Sequence, residues 1–138
     1  MYNFYRRSKY NARKAQGTDG EIFDSVLEMR RWQFLKIAEK GGLISGLTRQ
    51  KKFLLIPAQY EETGEVYTRG KNKGRPKPGK LLEKECSYYA DFEYYKDGRQ
   101  VVEDAKGVET KEFKIKKKLM LERHGLVVKV VKTSTDDI

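Results

Sequence analysis

The segment SYYADFEYYKDGRQVVEDAKG, residues 87–107, restricts the fold more than any other part of this 138-residue chain. Asp97-Gly98 separates two runs rich in aromatic and β-branched residues, and this dipeptide is a strong cue for a two-residue hairpin. If those two residues form the whole loop, the pairing is fixed and Asp91 lies opposite Asp104. Their Cβ atoms would then stand about 4.5–5.5 Å apart. Alternation along the strands puts Glu93 and Lys106 on the face of the two aspartates. Ala90, Phe92, Val101 and Ala105 fall on the other face, where they can meet a core. Glu103 also falls there, beside Phe92: either it sits at a sheet rim or the register is shifted. A one-residue slip would send every second side chain to the opposite face.

Helical and strand signals surround the hairpin. A helix is expected from Asp24-Ser25 through SVLEMRRWQFLKIAEK to the stop at Gly41-Gly42, with Leu27, Phe34, Leu35 and Ala38 as its buried stripe. Lys52-Phe53-Leu54-Leu55-Ile56, before Pro57, reads as a short strand. Residues 61–86 read as a long connection, a length that is unusual in a compact domain unless functional or mobile. A second helix is expected over 110–124, with Phe113, Ile115, Leu119 and Met120 apolar and Gly125 as its stop. LVVKVV, 126–131, reads as a buried strand parallel to its neighbour. The expected order is helix, three strands, helix, strand, ending in a right-handed βαβ crossover. The fold class is therefore α/β, a mixed central sheet flanked by helices. The chain divides into a basic arm (1–20), one domain (21–132) that includes the 61–86 insertion as a long basic loop, and a polar tail (133–138).

Lys and Arg number 30 against 20 acids, a net charge of +10. Most of the excess lies in two stretches without any acid. Residues 1–18 hold Arg6, Arg7, Lys9, Arg13 and Lys14, and residues 69–80 hold Arg69, Lys71, Lys73, Arg75, Lys77 and Lys80. The rest of the chain is close to neutral. Neither stretch reads as an amphipathic helix, so nucleic acid is the expected polyanion rather than a membrane surface. The bland alternative is a pair of solubilising linkers. No apolar run approaches a membrane span, and the N-terminal residues lack the apolar stretch of a signal peptide. One cysteine, Cys86, and one histidine, His124, exclude an internal disulfide and a Cys/His zinc site, and a reducing, cytoplasmic compartment is expected.

Two facing carboxylates repel one another, and a divalent cation between them reverses that sign. Hard oxygen ligands suit Mg²⁺, or Mn²⁺ in its place. A neighbouring lysine could position or deprotonate a water, or stabilise charge developing on a phosphate. Spacing alone thus outlines a metal-dependent phosphodiesterase site of Asp91, Asp104 and Lys106. The plainer reading is a solvated hairpin face with a weak Asp104–Lys106 pair.

Ala90-Asp91 followed by Asp104-Ala105-Lys106 resembles the PD-(D/E)XK nuclease signature, with alanine replacing the first proline. The αβββαβ order around it is that of the restriction-endonuclease-like core. The blocks SKYNARK, FDSVLE, YYADFEY and VVEDAKG are similar to a family of small phage-encoded proteins of unknown function grouped with that fold. The resemblance spans roughly residues 8–131, apart from the basic insertion. It implies that Asp91 and Asp104 ligate a metal and that Lys106 is the catalytic lysine. It also implies that Glu28 is a further ligand or metal-water partner. Without it, Ser25-x-x-Glu28 reads as a capping box in which Glu28 accepts from the Ser25 N–H.

The implied activity is a divalent-metal-dependent DNA endonuclease of phage or prophage DNA metabolism. Its similarity to phage endonuclease I and RecU-like junction-resolving enzymes points to double-stranded or branched DNA, such as a Holliday junction, and to a homodimer. The rival is a non-catalytic nucleic-acid-binding protein on the same fold. The arm and the 69–80 stretch would grip the backbone, and Lys114 or Lys118 of the second helix would touch a phosphate. The tyrosines 88, 89, 94 and 95 suit sheet packing better than base stacking. Trp32 suits a partly buried helix position, His124 a helix C-terminus, and Cys86 an inert thiol.

Overall fold

The structure, a computed structural model, describes residues 14–138, so Arg6, Arg7, Lys9 and Arg13 lie outside the described residues. Within the segment expected as an arm, β1 (Ala15–Gln16) pairs antiparallel with β2 (Ile22–Phe23) around the Thr18–Gly20 turn. Phe23 is buried there, and Lys14 is exposed.

Helix α1 (Val26–Lys40) starts at Ser25, whose hydroxyl accepts from the Glu28 N–H, and stops at Gly41. Its fully buried positions are Glu28, Arg31 and Leu35, while Leu27, Phe34 and Ala38 are only half-buried. The stripe expected from apolar spacing is thus displaced towards two charged residues, because those charges have partners inside the fold.

Four strands form the central sheet, in the order β3 (Ser45–Ile56), β6 (Cys86–Lys96), β7 (Arg99–Ala105) and β8 (Lys129–Val131). The first three are mutually antiparallel, and β8 runs parallel to β7, as the continuous apolar run predicts. The hairpin register is the one fixed by the Asp97-Gly98 turn: Phe92 lies opposite Glu103 and Lys96 opposite Arg99. Asp97 and Gly98 both have positive φ, as a type I′ turn requires. Helix α2 (Lys111–His124) crosses between β7 and β8. Thr110 caps its start, and Gly125, in the left-handed conformation, caps its end. Phe113 and Met120 are buried and Leu119 is half-buried, but Ile115, expected with them, is 59% exposed.

The core is split by the sheet into two clusters. Leu35, Ile44, Phe92 and Tyr94 pack on the α1 side, joined by Trp32, Val101 and Ala105. Phe53, Leu55, Tyr88, Ala90, Val102, Phe113, Met120 and Val128 pack on the α2 side. Ala90 and Phe92 are two residues apart, yet they belong to different clusters, which corrects the expectation that they share a face. The switch coincides with Gln50, which lies between the ladder pairs Arg49↔Phe92 and Lys51↔Ala90 and has φ 51°. A non-glycine residue in this region turns the strand locally, so strict alternation stops there.

The 61–86 connection is not a loop. β4 (Gln59–Val66) and β5 (Pro76–Glu83) pair antiparallel as a two-stranded ribbon. Pro76 and Pro78 fit because both strands of such a ribbon are edges.

Candidate active site

Each sequence-predicted acid comes from a different element. Glu28 sits in the first turn of α1, Asp91 at mid-strand in β6, and Asp104 near the end of β7, with Lys106 just beyond it. Glu28 and Asp104 are buried, and Asp91 and Lys106 are half-buried. Glu28 divides its oxygens between two tasks. Its Oε2 accepts from the Asp24 N–H at 3.2 Å, one residue earlier than the expected Ser25 donor. Its Oε1 faces the sheet, where Arg49 Nη2 approaches to 3.3 Å and Gln50 Nε2 to 3.4 Å. The cap and the site therefore share one side chain.

Gln50 joins the acids. Its Nε2 also donates to Asp91 Oδ1 at 3.3 Å, so one amide spans Glu28 and Asp91. The other Asp91 oxygen accepts the Ala105 backbone N–H at 2.9 Å. That bond ties β6 to the DAK segment where the strand ladder has ended. Asp104 accepts from the buried Tyr88 hydroxyl through Oδ2. Its Oδ1 lies 3.0 Å from Lys106 Nζ, yet no donor hydrogen is aimed at this buried oxygen. The contact is an ion pair.

The electrostatics show that the four side chains share a neighbourhood. Burial pushes the Asp91 carboxyl up to about 8, with Asp104 and Glu28 adding to the rise. Burial likewise raises Glu28, against the opposing hydrogen bond from Arg49. For Lys106 burial would lower the ammonium, but Asp104, Asp91 and Glu28 outweigh it and hold it above its ordinary value. Burial and the Asp104 charge drive the Tyr88 hydroxyl well upward, so it stays a proton donor to the carboxylate. Among the described residues no three His, Cys, Asp or Glu side chains stand close enough together to enclose an ion. The Gln50 amide and the Lys106 ammonium lie among the acids instead. The donor set nevertheless fits a hard cation: carboxylates in mutual repulsion, with one buried oxygen lacking a donor.

Glu103 has neither of its expected fates. The register is unshifted and Glu103 is fully buried, where Arg31 of α1 pairs with it through Nε and Nη2. Arg31 also donates to the carbonyls of Ser134 and Asp136, which holds the tail against α1. Glu93 is buried too and accepts from Gln100 Nε2 at 2.7 Å, so it is engaged away from the acids.

Gln50, Arg49, Tyr88 and Arg31 carry no local sequence signal for the site, since each reaches its partner across 16 or more residues. Of the tyrosines, 88 and 94 are buried and 89 and 95 are 53% and 42% exposed. Trp32 is half-buried and stacks on Phe92, and His124 Nε2 meets the Leu54 carbonyl at the end of α2. Lys114 and Lys118 are exposed on α2, and Arg69, Lys71, Lys73 and Arg75 are exposed at the ribbon tip, with Lys77 half-buried on β5. None of these cations forms an ion pair with Glu28, Asp91 or Asp104. No helix among the described residues is long and apolar enough to cross a membrane.

The fold is a mixed α/β domain whose polar centre gathers three acids and a lysine. The chain belongs to the family described as "Protein of unknown function (DUF1064)", whose model matches residues 7–134. No curated protein and no solved structure matches it.

Proposed function

We propose that the protein is a Mg²⁺- or Mn²⁺-dependent DNA endonuclease of the PD-(D/E)XK class, with its αβββαβ elements as a restriction-endonuclease-like core. The observation that carries this reading is the meeting of Asp91, Asp104, Glu28 and Lys106, with Asp91 pushed up to about 8 by burial and its acidic neighbours. A site of this kind is under strain until a cation enters it. Asp91 and Asp104, with Glu28 as a third partner, would hold the ion. When bound, the ion supplies charge neutralisation and polarisation of a phosphate oxygen.

The chain's own groups supply the rest. Tyr88 fixes one Asp104 oxygen and leaves the other to Lys106, and the Ala105 N–H fixes one Asp91 oxygen while Gln50 donates to the other. Lys106, held charged by its neighbours, suits stabilisation of the phosphate better than removal of a proton from water. In hydrolysis water adds to phosphorus, one P–O bond breaks, and the departing oxygen takes a proton. Branched DNA, a homodimer and a phage or prophage setting are part of the proposal through the resemblance alone.

Asp91→Asn and Asp104→Asn should each abolish Mg²⁺-dependent cleavage of nicked or four-way DNA and leave binding nearly unchanged. Undiminished cleavage by either variant would overturn the site. The second reading, a non-catalytic nucleic-acid-binding protein, is favoured by one observation: the acids do not enclose an ion as they stand. Binding without cleavage of linear, nicked and four-way DNA across a Mg²⁺ and Mn²⁺ titration would select it.

A further inference from the structure

The β4–β5 ribbon grows out of the strand pair that carries Gln50 and Asp91. β3 and β6 pair as far as Ile56↔Cys86, and β4 and β5 resume from Gln59↔Glu83 to Val66↔Pro76. Only Pro57-Ala58 and Lys84-Glu85 interrupt the pairing. Eight residues in each strand make a ribbon about 26 Å long. Its two strands pack chiefly on each other and have no extensive contact with the rest of the fold. Every residue of β4 is exposed. Such an arm contributes little to the core, and its surface is open to a partner.

Its tip is built rather than slack. The Tyr67 N–H donates to the Arg75 carbonyl at 2.9 Å, the Gly74 N–H to the Tyr67 carbonyl at 2.8 Å, and the Arg75 N–H to the Asn72 carbonyl at 2.9 Å. Gly70 and Gly74 take the positive φ that this turn demands. Lys77 Nζ lies 5.7 Å from the centre of the Tyr67 ring, which steadies the join between tip and strand.

Charge is unevenly divided along the ribbon. Glu61, Glu62 and Glu65 lie on β4, whereas Arg69, Lys71, Lys73 and Arg75 crowd the tip and Lys77 and Lys80 continue along β5, whose one acid, Glu83, lies at the base of the ribbon. A polyanion is attracted to the tip and the β5 edge and repelled from the β4 edge. A two-stranded ribbon also has the width that the major groove of B-form DNA admits.

We propose that the β4–β5 ribbon is a duplex-DNA arm whose cationic tip enters the major groove, with the β5 edge towards the phosphates and the β4 edge away from them. It rests on the reading of DNA as substrate, but not on catalysis. Major-groove entry excludes an A-form RNA duplex, whose major groove is too narrow and deep. A solubilising ribbon would make no such distinction.

The test uses the full chain in EDTA, so that nothing is cleaved, with a labelled linear DNA duplex and an RNA duplex of the same sequence. The tip variant replaces Arg69, Lys71, Lys73 and Arg75 by Ser. On DNA the slope of log affinity against log salt, between about 50 and 200 mM, should become shallower by about 3–4. On RNA the tip variant and the wild type should differ by far less. Exchanging Arg for Lys and Lys for Arg at the four positions should restore the DNA slope. Glu61→Gln/Glu62→Gln/Glu65→Gln should bind DNA as well as wild type or better. An unchanged DNA slope in the tip variant, or an equal change on RNA, overturns the arm, and weaker binding by the glutamine variant overturns its orientation.

The outcomes also separate the arm from the active site. A shallower slope in a protein that never cleaves keeps the arm and removes the nuclease. Mg²⁺-dependent cleavage with an unchanged slope does the reverse.

Discussion

Asp91 experiences burial and two neighbouring acids at once, and its carboxyl is pushed up to about 8. The unfolded chain loses this proton near pH 4, whereas the folded chain retains it. The resulting stabilisation is fully present at low pH and is lost as pH rises through about 8. Melting curves should therefore show Tm falling from pH 5 to pH 8.5 in the absence of metal. Asp91→Asn should flatten this fall and raise Tm at pH 8 by about 3–5 °C. Added Mg²⁺ should flatten it in the wild type and release protons on binding. A variant that keeps the wild-type pH dependence would place the titration elsewhere.

Arg31 and Glu103 pose the opposite problem, a charge pair with no exposure at all. Arg31→Ala leaves a buried carboxylate alone and should cost about 3–5 kcal/mol in urea unfolding. Arg31→Met combined with Glu103→Leu should recover most of that loss. The hairpin register is written in the chain, and so is the side of the sheet on which Glu103 falls. What gives it a place there is not, because its partner is 72 residues away and no periodicity announces it.

At the scale of elements, the hairpin β6–β7, both helices and β8 follow from local chemistry. A two-residue turn, two capping residues, a left-handed glycine and an apolar run each act within a few residues. The ribbon was hidden because β4 and β5 bury almost nothing, so neither alternation nor an apolar run marks them, and two prolines speak against a strand. The face switch at Gln50 was hidden for a different reason. A left-handed residue in mid-strand is a tertiary outcome, and the amide that it aims at Glu28 and Asp91 explains why the fold retains it.

The switch leaves two clusters that share no residue. Leu35→Val on the α1 side and Met120→Val on the α2 side should each cost about 1 kcal/mol. In the double variant the two costs should add to within about 0.5 kcal/mol. Coupling well beyond that would mean that the sheet transmits packing between its faces.

Across the whole molecule, charge is organised as a cationic periphery around an anionic centre. Glu28 and Asp104 are buried and Asp91 and Lys106 half-buried, while exposed cations occupy the ribbon tip and α2. The continuity of β3–β6 with the ribbon bears on how the chain reaches this state. Ser45 and Tyr95 pair across 50 residues of sequence, a costly loop to close in one step. A turn formed first at the ribbon tip converts that closure into a succession of short ones, each register pair bringing the next within reach. The arm would then be a folding template, dispensable for holding the sheet but not for assembling it quickly. Replacing residues 59–83 by a Gly/Ser linker of equal length should leave Tm within a few degrees and slow refolding about tenfold or more in stopped-flow measurements. An unchanged refolding rate would mean that β3 and β6 find each other without the ribbon.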